Sequence, residues 1–545
     1  MSSIDEACKA DLVLVNGRIV TVDEEFSVAE AIAVKDGLIK VVGSRAEVEP
    51  WIGGGTEVVD LEGGMVLPGL IDSHIHVTGT GALLQNVVCS TPPVHSISDI
   101  ADAVRMRVEK AQPGEWITGR GWDQVKLSDH RNPTRWDLDQ VSPDNPVFLK
   151  RTCGHVAVVN SRALEIAGVT GDTPQPVGGR VEFRDGEPTG ILEESPAMGL
   201  VSRHMPAGDF ADIVNSIKTA VKALNRDGIT SVIDPGVTAT TMRAYQQARR
   251  DGGLTLRVNY MLSGRLTGET GDESAKRIGS FPMSTGYGDN LLRFLGLKLL
   301  IDGGIGGRTA LLREPYEGDP ENRGILTMPV EDIQKRVDAA NMAGMMVGIH
   351  CAGGGAIDTV IDAFVETDKI SSIAGRRYCL IHAYQPTEET FQRCRELELV
   401  VASQPSFLYY LGDSYHENVG DDRSRWLKPH RAWIDHGVVV AAGTDSPVTP
   451  YPPFPCLWAA VARRTEVNDI QMGTGQAVSR EEAIRMYTIN GAYHTFEEDI
   501  KGSLEPEKLA DMIIIDRDIL TCPLDEVKDT RVLRTILEGK TVYKA

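Results

Sequence analysis

Apolar residues follow two different patterns along the chain. At the amino end they come in short runs separated by turns. Asp11-Leu-Val-Leu-Val-Asn-Gly17 ends in Asn-Gly, a type I′ hairpin signal, and Arg18-Ile-Val-Thr-Val22 follows it. Ala31-Ile-Ala-Val-Lys-Asp-Gly37 passes through Asp-Gly into Leu38-Ile-Lys-Val-Val42. Such spacing predicts a small antiparallel sheet. The carboxyl end repeats it, in Asp511-Met-Ile-Ile-Ile515 and in Arg534-Thr-Ile-Leu-Glu-Gly-Lys-Thr-Val-Tyr543. Neither half is large enough to bury a core alone. Residues 1–64 and 491–545 are therefore expected to form one composite β-sandwich.

Between them, short apolar runs alternate with long helical stretches, the signature of βα units and a parallel sheet. The expected strands are Met65–His76, Ile229–Pro235, Leu254–Met261, Leu292–Asp302, Met345–Cys351, Arg377–Ala383, Leu399–Gln404 and Val438–Asp445. Eight such strands make residues 65–490 an α/β domain with a (β/α)8 TIM-type barrel. The first connection is too long for a loop and a helix. An inserted subdomain is expected at about residues 80–220, rich in Trp, Pro and Gly (Gly121-Trp-Asp-Gln124, Pro133-Thr-Arg-Trp136, Gly178-Gly-Arg180). An insertion after a strand's carboxyl end lies on the active-site face, where a lid is useful.

The ends of these strands carry the chemistry. His74 and His76 stand one residue apart at the first, and residues i and i+2 of a strand share a face. The fifth strand ends in His350, the sixth in His382 and the eighth in Asp445. Barrel strand ends converge on one mouth. Four imidazoles and a carboxylate there suffice for one or two zinc ions, with other divalent metals as alternatives. In the fourth strand, Leu295, Leu297, Leu299 and Ile301 share one face, and Phe294, Gly296, Lys298, Leu300 and Asp302 the other. The aliphatic face suits the helices outside, so Lys298 is expected to point inward. A bare ammonium there is costly unless paired. It either forms an ion pair with Asp302 or Asp445, or reacts with CO₂ to become an anionic ligand bridging two metals.

Composition narrows the functional classes. Of 545 residues, 41% are hydrophobic and 24% charged, an ordinary globular balance. A net charge of -21 argues against a nucleic-acid partner. No stretch has the length and apolarity of a membrane span, and the acidic start, Met1-Ser-Ser-Ile-Asp-Glu-Ala7, lacks a signal-peptide core. Eight scattered Cys without a Cys-x-x-Cys read as reduced thiols, so a cytoplasmic location is expected. The expected partner is a small-molecule substrate, and a homodimer is left open. Gly303-Gly-Ile-Gly-Gly307 lacks the Gly-Lys-Ser/Thr of a phosphate loop and is expected to shape the loop beside the metals. The chain has no Gly-x-Ser-x-Gly elbow for serine hydrolysis. His95, His130, His204, His416, His430, His436 and His494 are expected at the surface or as caps. Trp122, His155 and Arg308 are the candidate substrate contacts.

These residues resemble the amidohydrolase superfamily, and within it the YtcJ-like branch of amidohydrolase family 3, whose named members include N-substituted formamide deformylase. The resemblance runs through Leu14-Val-Asn-Gly-Arg-Ile-Val-Thr21, Pro68-Gly-Leu-Ile-Asp-Ser-His-Ile-His76, Gly121-Trp-Asp-Gln124, Pro146-Val-Phe-Leu149 and His155-Val-Ala-Val-Val-Asn-Ser-Arg-Ala-Leu164. It continues in Pro188-Thr-Gly-Ile-Leu192, Gly228-Ile-Thr-Ser-Val-Ile-Asp234, Lys298 to Asp302-Gly-Gly, and Gly443-Thr-Asp-Ser-Pro-Val448. It implies metal ligation by His74, His76, His350 and His382, Lys298 as a carboxylated bridge, and Asp445 as ligand and general base. It implies hydrolysis of a non-peptide carbon–nitrogen bond, an amide such as an N-substituted formamide, by metal-activated water. Hydrolysis of an ester, lactone or carbamate at the same site is the alternative, and a metal-binding barrel without turnover is the third reading. Two departures stand out. The family usually has an Asp soon after the fifth-strand His, where this chain reads His350-Cys-Ala-Gly-Gly-Gly355, and a Glu before the sixth-strand His, where it has Ile381.

Overall fold

The structure is a computed structural model that describes residues 8–90, 94–124, 126–152, 156–176, 179–206, 209–266 and 269–545. The chain divides into two compact units, Met1–Val77 with Val221–Ala545, and Thr78–Ala220. Among the described residues, no helix is long and apolar enough to cross a membrane.

Eight parallel strands form the centre of the first unit: Leu70–Asp72, Ile229–Val237, Arg257–Ser263, Leu292–Leu300, Met346–Cys351, Cys379–His382, Val400–Ser403 and Val439–Ala442. They pair in chain order, first to eighth. Individual backbone bonds close the seam between the eighth and first: Ser73 N–H donates to the Ala442 carbonyl at 2.9 Å and Asp445 N–H to that of His74 at 2.7 Å. The sheet thus forms a nearly closed barrel, filled by Ile233, Met261, Leu295, Met346, Cys379, Ile381 and Ala402.

Two strand readings are corrected. The run Met65–His76 is not one strand. Met65–Pro68 pairs with Met512–Ile515 and Arg18–Val20, whereas Leu70–Asp72 pairs with the second barrel strand. Gly69 lies at the break, where a Cβ would come within 2.2 Å of Thr230 Oγ1, so the crossing needs glycine. In the fourth barrel strand, Phe294 pairs with Tyr260 and Gly296 with Met261, leaving Leu295 as a bulged extra residue. The bulge shifts the parity: Leu295 joins the barrel interior, while Phe294 packs against Phe281 and Tyr260. Beyond it the expected alternation holds. Lys298 is in register with Gly348, and a Cβ on Gly348 would touch the interior residues Met261 and Ile381.

Both chain ends meet in a six-stranded sheet, ordered Lys540–Lys544, Val532–Leu537, Met512–Ile515, Met65–Pro68, Arg18–Val20, Val28–Ala29. A four-stranded sheet, ordered Leu38–Gly43, Ala31–Lys35, Leu12–Val15, Glu57–Asp60, shares its core through Leu14, Ile32, Val66, Met512 and Ile536. Asp36-Gly37, both at positive φ, closes the expected hairpin. Asn16-Gly17 does not: it carries the chain from one sheet to the other, and Leu12–Val15 also pairs parallel with Glu57–Asp60. Arg257, at the start of the third barrel strand, ties barrel to sheet. Its guanidinium is 1% exposed and grips Asp511 at 2.6 and 2.9 Å.

The second unit has its own six-stranded sheet with apolar residues on both faces. Val147, Leu149 and Val158 face one side, under the helix Ile97–Val108. Phe148, Ala157 and Val159 face the other, under Ser161–Ala167 and Glu194–Ser202. Strand alternation accounts for both cores.

Candidate metal centre

The predicted ligands gather at the carboxyl ends of the barrel strands. His74 and His76 follow the first strand, held by bonds from Ile75 N–H to the Ile233 carbonyl and from His76 N–H to that of Ser446. Their Nε2 atoms lie 3.5 and 3.3 Å from Asp445 Oδ1, and His382 Nε2 lies 3.8 Å from Oδ2. His74, His382 and Asp445 form the tightest group, with one ligand atom from each within 4.8 Å of the others. The His350 ring lies beside that of His382, centroids 4.3 Å apart. Lys298 rises from the barrel interior beneath them, 9% exposed.

Two of these side chains need unusual backbone. In the sixth strand Cys379 and Ile381 point inward, so plain alternation would turn His382 out. His382 instead adopts φ 78°, and its ring swings back to the mouth. Asp445 has φ 55°. Positive φ is costly for residues with a Cβ and concentrates at functional sites.

The electrostatics suit a cation. Burial pushes His74 and His382 well below the ordinary histidine pKa, helped by Lys298 and neighbouring imidazoles, and lowers His350 to about 4. Neutral imidazoles keep a lone pair for a metal. His350 Nε2 lies 3.0 Å from the Gly303 carbonyl, which only accepts, so Nε2 carries the proton and Nδ1 the lone pair. Asp445 Oδ1 is buried without a hydrogen-bond partner among the described residues. A bare carboxylate oxygen facing imidazoles is the donor set that a divalent ion satisfies. Burial lowers Lys298 to about 8. Among the described residues Lys298 forms no ion pair, the first of its two readings: Asp445 faces the three histidines, and Asp302 accepts the N–H groups of Leu311, Ala352 and Gly353.

Residues 57–543 match the amidohydrolase family. The chain belongs to that family. It is 30% identical to N-substituted formamide deformylase of Arthrobacter pascens over 98% of both chains. It is 28% identical to the putative amidohydrolase YtcJ of Bacillus subtilis, over 97% of this chain and 98% of that one. Among solved structures it resembles an uncharacterized metal-dependent hydrolase from Pyrococcus furiosus, with TM-score 0.74 and 30% identity, covering 94% of this chain and all of the other. The protein is thus a hydrolase of the amidohydrolase family.

The candidate ligands of this amidohydrolase are supported by neighbouring residues. Asp72, buried and pushed by burial up to about 7, accepts the N–H of His74 at 3.0 Å and the Thr444 hydroxyl at 2.7 Å. It ties the first strand to the loop that carries Asp445. A Cβ on Gly443 would come within 2.6 Å of Asp72 Oδ1 and His74 N, so this approach needs glycine. Asp72 lies two residues before His74, close enough in sequence to be suspected. Asp302 binds the backbone after His350, where the family's usual Asp is missing. Ile381, in place of the usual Glu, fills the barrel interior.

Of the three substrate-contact candidates, Trp122 and Arg308 are among the described residues. Trp122 is fully buried in the second unit's core, its indole N–H bonded to Asn132 at 3.2 Å, so packing accounts for it. Arg308, at φ 54°, donates through Nε to Asn418 at 2.8 Å. His155 lies outside the described residues. His430 and His494, expected at the surface or as caps, are fully buried. Their helices, His430–Asp435 and Ile489–His494, are too short to show an apolar face in sequence.

Proposed function

We propose that the protein hydrolyses a non-peptide carbon–nitrogen bond in a small molecule, an amide of the N-substituted formamide kind, at a centre holding one or two divalent ions, zinc first. The observation that carries this reading is the buried, unpartnered Asp445 oxygen among three imidazoles, of which burial keeps His74 and His382 neutral, with His350 and Lys298 alongside. The kinship with the formamide deformylase supports the substrate class.

His74, His76, His350, His382 and Asp445 would hold the ions, and Lys298, as a carbamate, would add an anionic ligand. Such an ion activates water near neutral pH and polarises a carbonyl. Asp445 takes the proton from the attacking water and returns it to the leaving nitrogen, acting first as base and then as acid. The backbone bond from Asp445 N–H to His74 and the Asp72–Thr444 contact hold it at the required place. Lys298 supplies the amine that combines with CO₂, a reaction of its neutral form, which its lowered pKa favours.

Asp445→Asn tests this directly. The variant is expected to keep most of its metal and to lose turnover by about 10²-fold or more. Full activity with metal bound would remove the role. A panel of formamides, esters, lactones and carbamates then sorts the acyl classes. Turnover of the oxygen esters alone would reassign the bond, and metal without turnover of any would leave a binding barrel.

A further inference from the structure

Gln404 follows the seventh barrel strand and is fully buried. Its Oε1 lies 2.6 Å from His382 Nδ1. An imidazole nitrogen in that position can donate or accept, and an amide can present either end. The Ala402 carbonyl resolves both ambiguities. It only accepts, so the amide atom 3.1 Å from it is the nitrogen, and the atom facing His382 is the amide oxygen. Lys428 Nζ lies 3.2 Å from that same oxygen and donates to it. An oxygen that only accepts requires the proton on His382 Nδ1. The lone pair is then on Nε2, the nitrogen that faces Asp445.

Lys428 is itself held against its preferences. It is 1% exposed. Among the described residues its Nζ meets neutral partners: Gln404 Oε1, the His382 carbonyl at 3.4 Å, and the faces of Tyr384 and Phe407 at 4.1 and 5.3 Å from their centroids. Burying an ammonium without a carboxylate is unfavourable. Its backbone sits at φ 50°, with its N–H on the Tyr384 carbonyl and its own carbonyl gripped by the buried Arg463 at 2.9 Å. Arg463 also holds the carbonyls of Leu427 and Met472. The surrounding loops therefore fix Lys428, and Lys428 fixes Gln404.

We infer that Gln404 and Lys428 are positioning residues that lock His382 in the tautomer with Nε2 free for a metal. The inference rests on the metal-centre reading above and extends it to two residues outside the ligand set. Two measurements on the full chain test it. In metal-free protein labelled with ¹⁵N-histidine, two-bond ¹H–¹⁵N correlations report the His382 tautomer, assigned by the signal missing from His382→Gln. Chelator competition reports zinc affinity. Wild type is expected to carry the proton on Nδ1. Gln404→Met is expected to mix the tautomers and weaken zinc binding by about 10–100-fold. Gln404→Glu keeps an acceptor for His382 and Lys428 and is expected to retain affinity. Lys428→Met is expected to weaken binding, and to add nothing once Gln404→Met is present, since it acts through Gln404. A wild-type proton on Nε2, or equal affinity in Gln404→Met and wild type, overturns the inference. Were Gln404→Met not to fold, the wild-type tautomer and Gln404→Glu still decide. Wild type that binds no zinc at all would instead remove the metal-centre reading, with the tautomer still measured separately.

Discussion

Asp445 and Lys298 stand close to one another under opposite constraints. Among the described residues, Asp445 has one oxygen without a hydrogen-bond partner and Lys298 forms no ion pair. A carbamate on Lys298 turns a cation costly to bury into an anion that two metal ions satisfy. Protein equilibrated with ¹³C-bicarbonate is therefore expected to show a carbamate carbon that disappears in Lys298→Ala. Its absence from fully metallated, active protein would leave Lys298 a plain amine. His494 poses a simpler question at the same scale. Burial, with Arg377 nearby, lowers its pKa to about 3, and neither ring nitrogen has a protein partner among the described residues. The folded chain excludes a proton that the unfolded chain binds below its ordinary value of 6.5. The resulting stability is present in full above that value and falls as pH drops toward 3, by up to about 1.4 kcal/mol per pH unit. His494→Leu is expected to flatten that slope in denaturation midpoints compared at pH 5 and pH 7. An unchanged slope would contradict it.

At the scale of strands and loops, the sequence showed where the chemistry stands better than how the backbone brings it there. His74, His76, His350, His382 and Asp445 were legible because each closes an apolar run, and strand ends of a barrel share one mouth. The division at Gly69 was not legible, because Met65–Pro68 and Leu70–Asp72 are equally apolar and differ only in their partners. The Leu295 bulge left no mark either, since Leu suits the barrel interior and its outside alike. The positive φ of His382, 78°, is uncommon for a residue with a Cβ and carries no sequence signal. Gln404 was within reach of the strand-end rule, had amides been counted with imidazoles and carboxylates. Lys428 lies in an irregular segment and carries no such signal. The Arg257–Asp511 tie belongs to this scale too, as the two residues lie 254 positions apart. Asp511→Ala would leave Arg257 buried with only the contacts from Glu538 and the Asn290 carbonyl. It is expected to cost about 3–5 kcal/mol in denaturant unfolding, and a change below about 1 kcal/mol would contradict the role assigned to the pair.

At the scale of the molecule, residues 78–220 form a compact unit of their own, and strands from both ends of the chain share one six-stranded sheet. Arg257 and Asp511 anchor that sheet at the start of the third barrel strand, while the candidate ligands follow the strands' other ends. The whole account depends on whether those ends hold metal. Anomalous scattering from crystals of active protein, recorded on both sides of the zinc edge, answers that most directly. The account predicts one or two peaks within about 2.0–2.2 Å of the His74, His76, His350 and His382 nitrogens and the Asp445 carboxylate. Active crystals with no peak there at any metal edge, or with a metal bound only elsewhere, would contradict it.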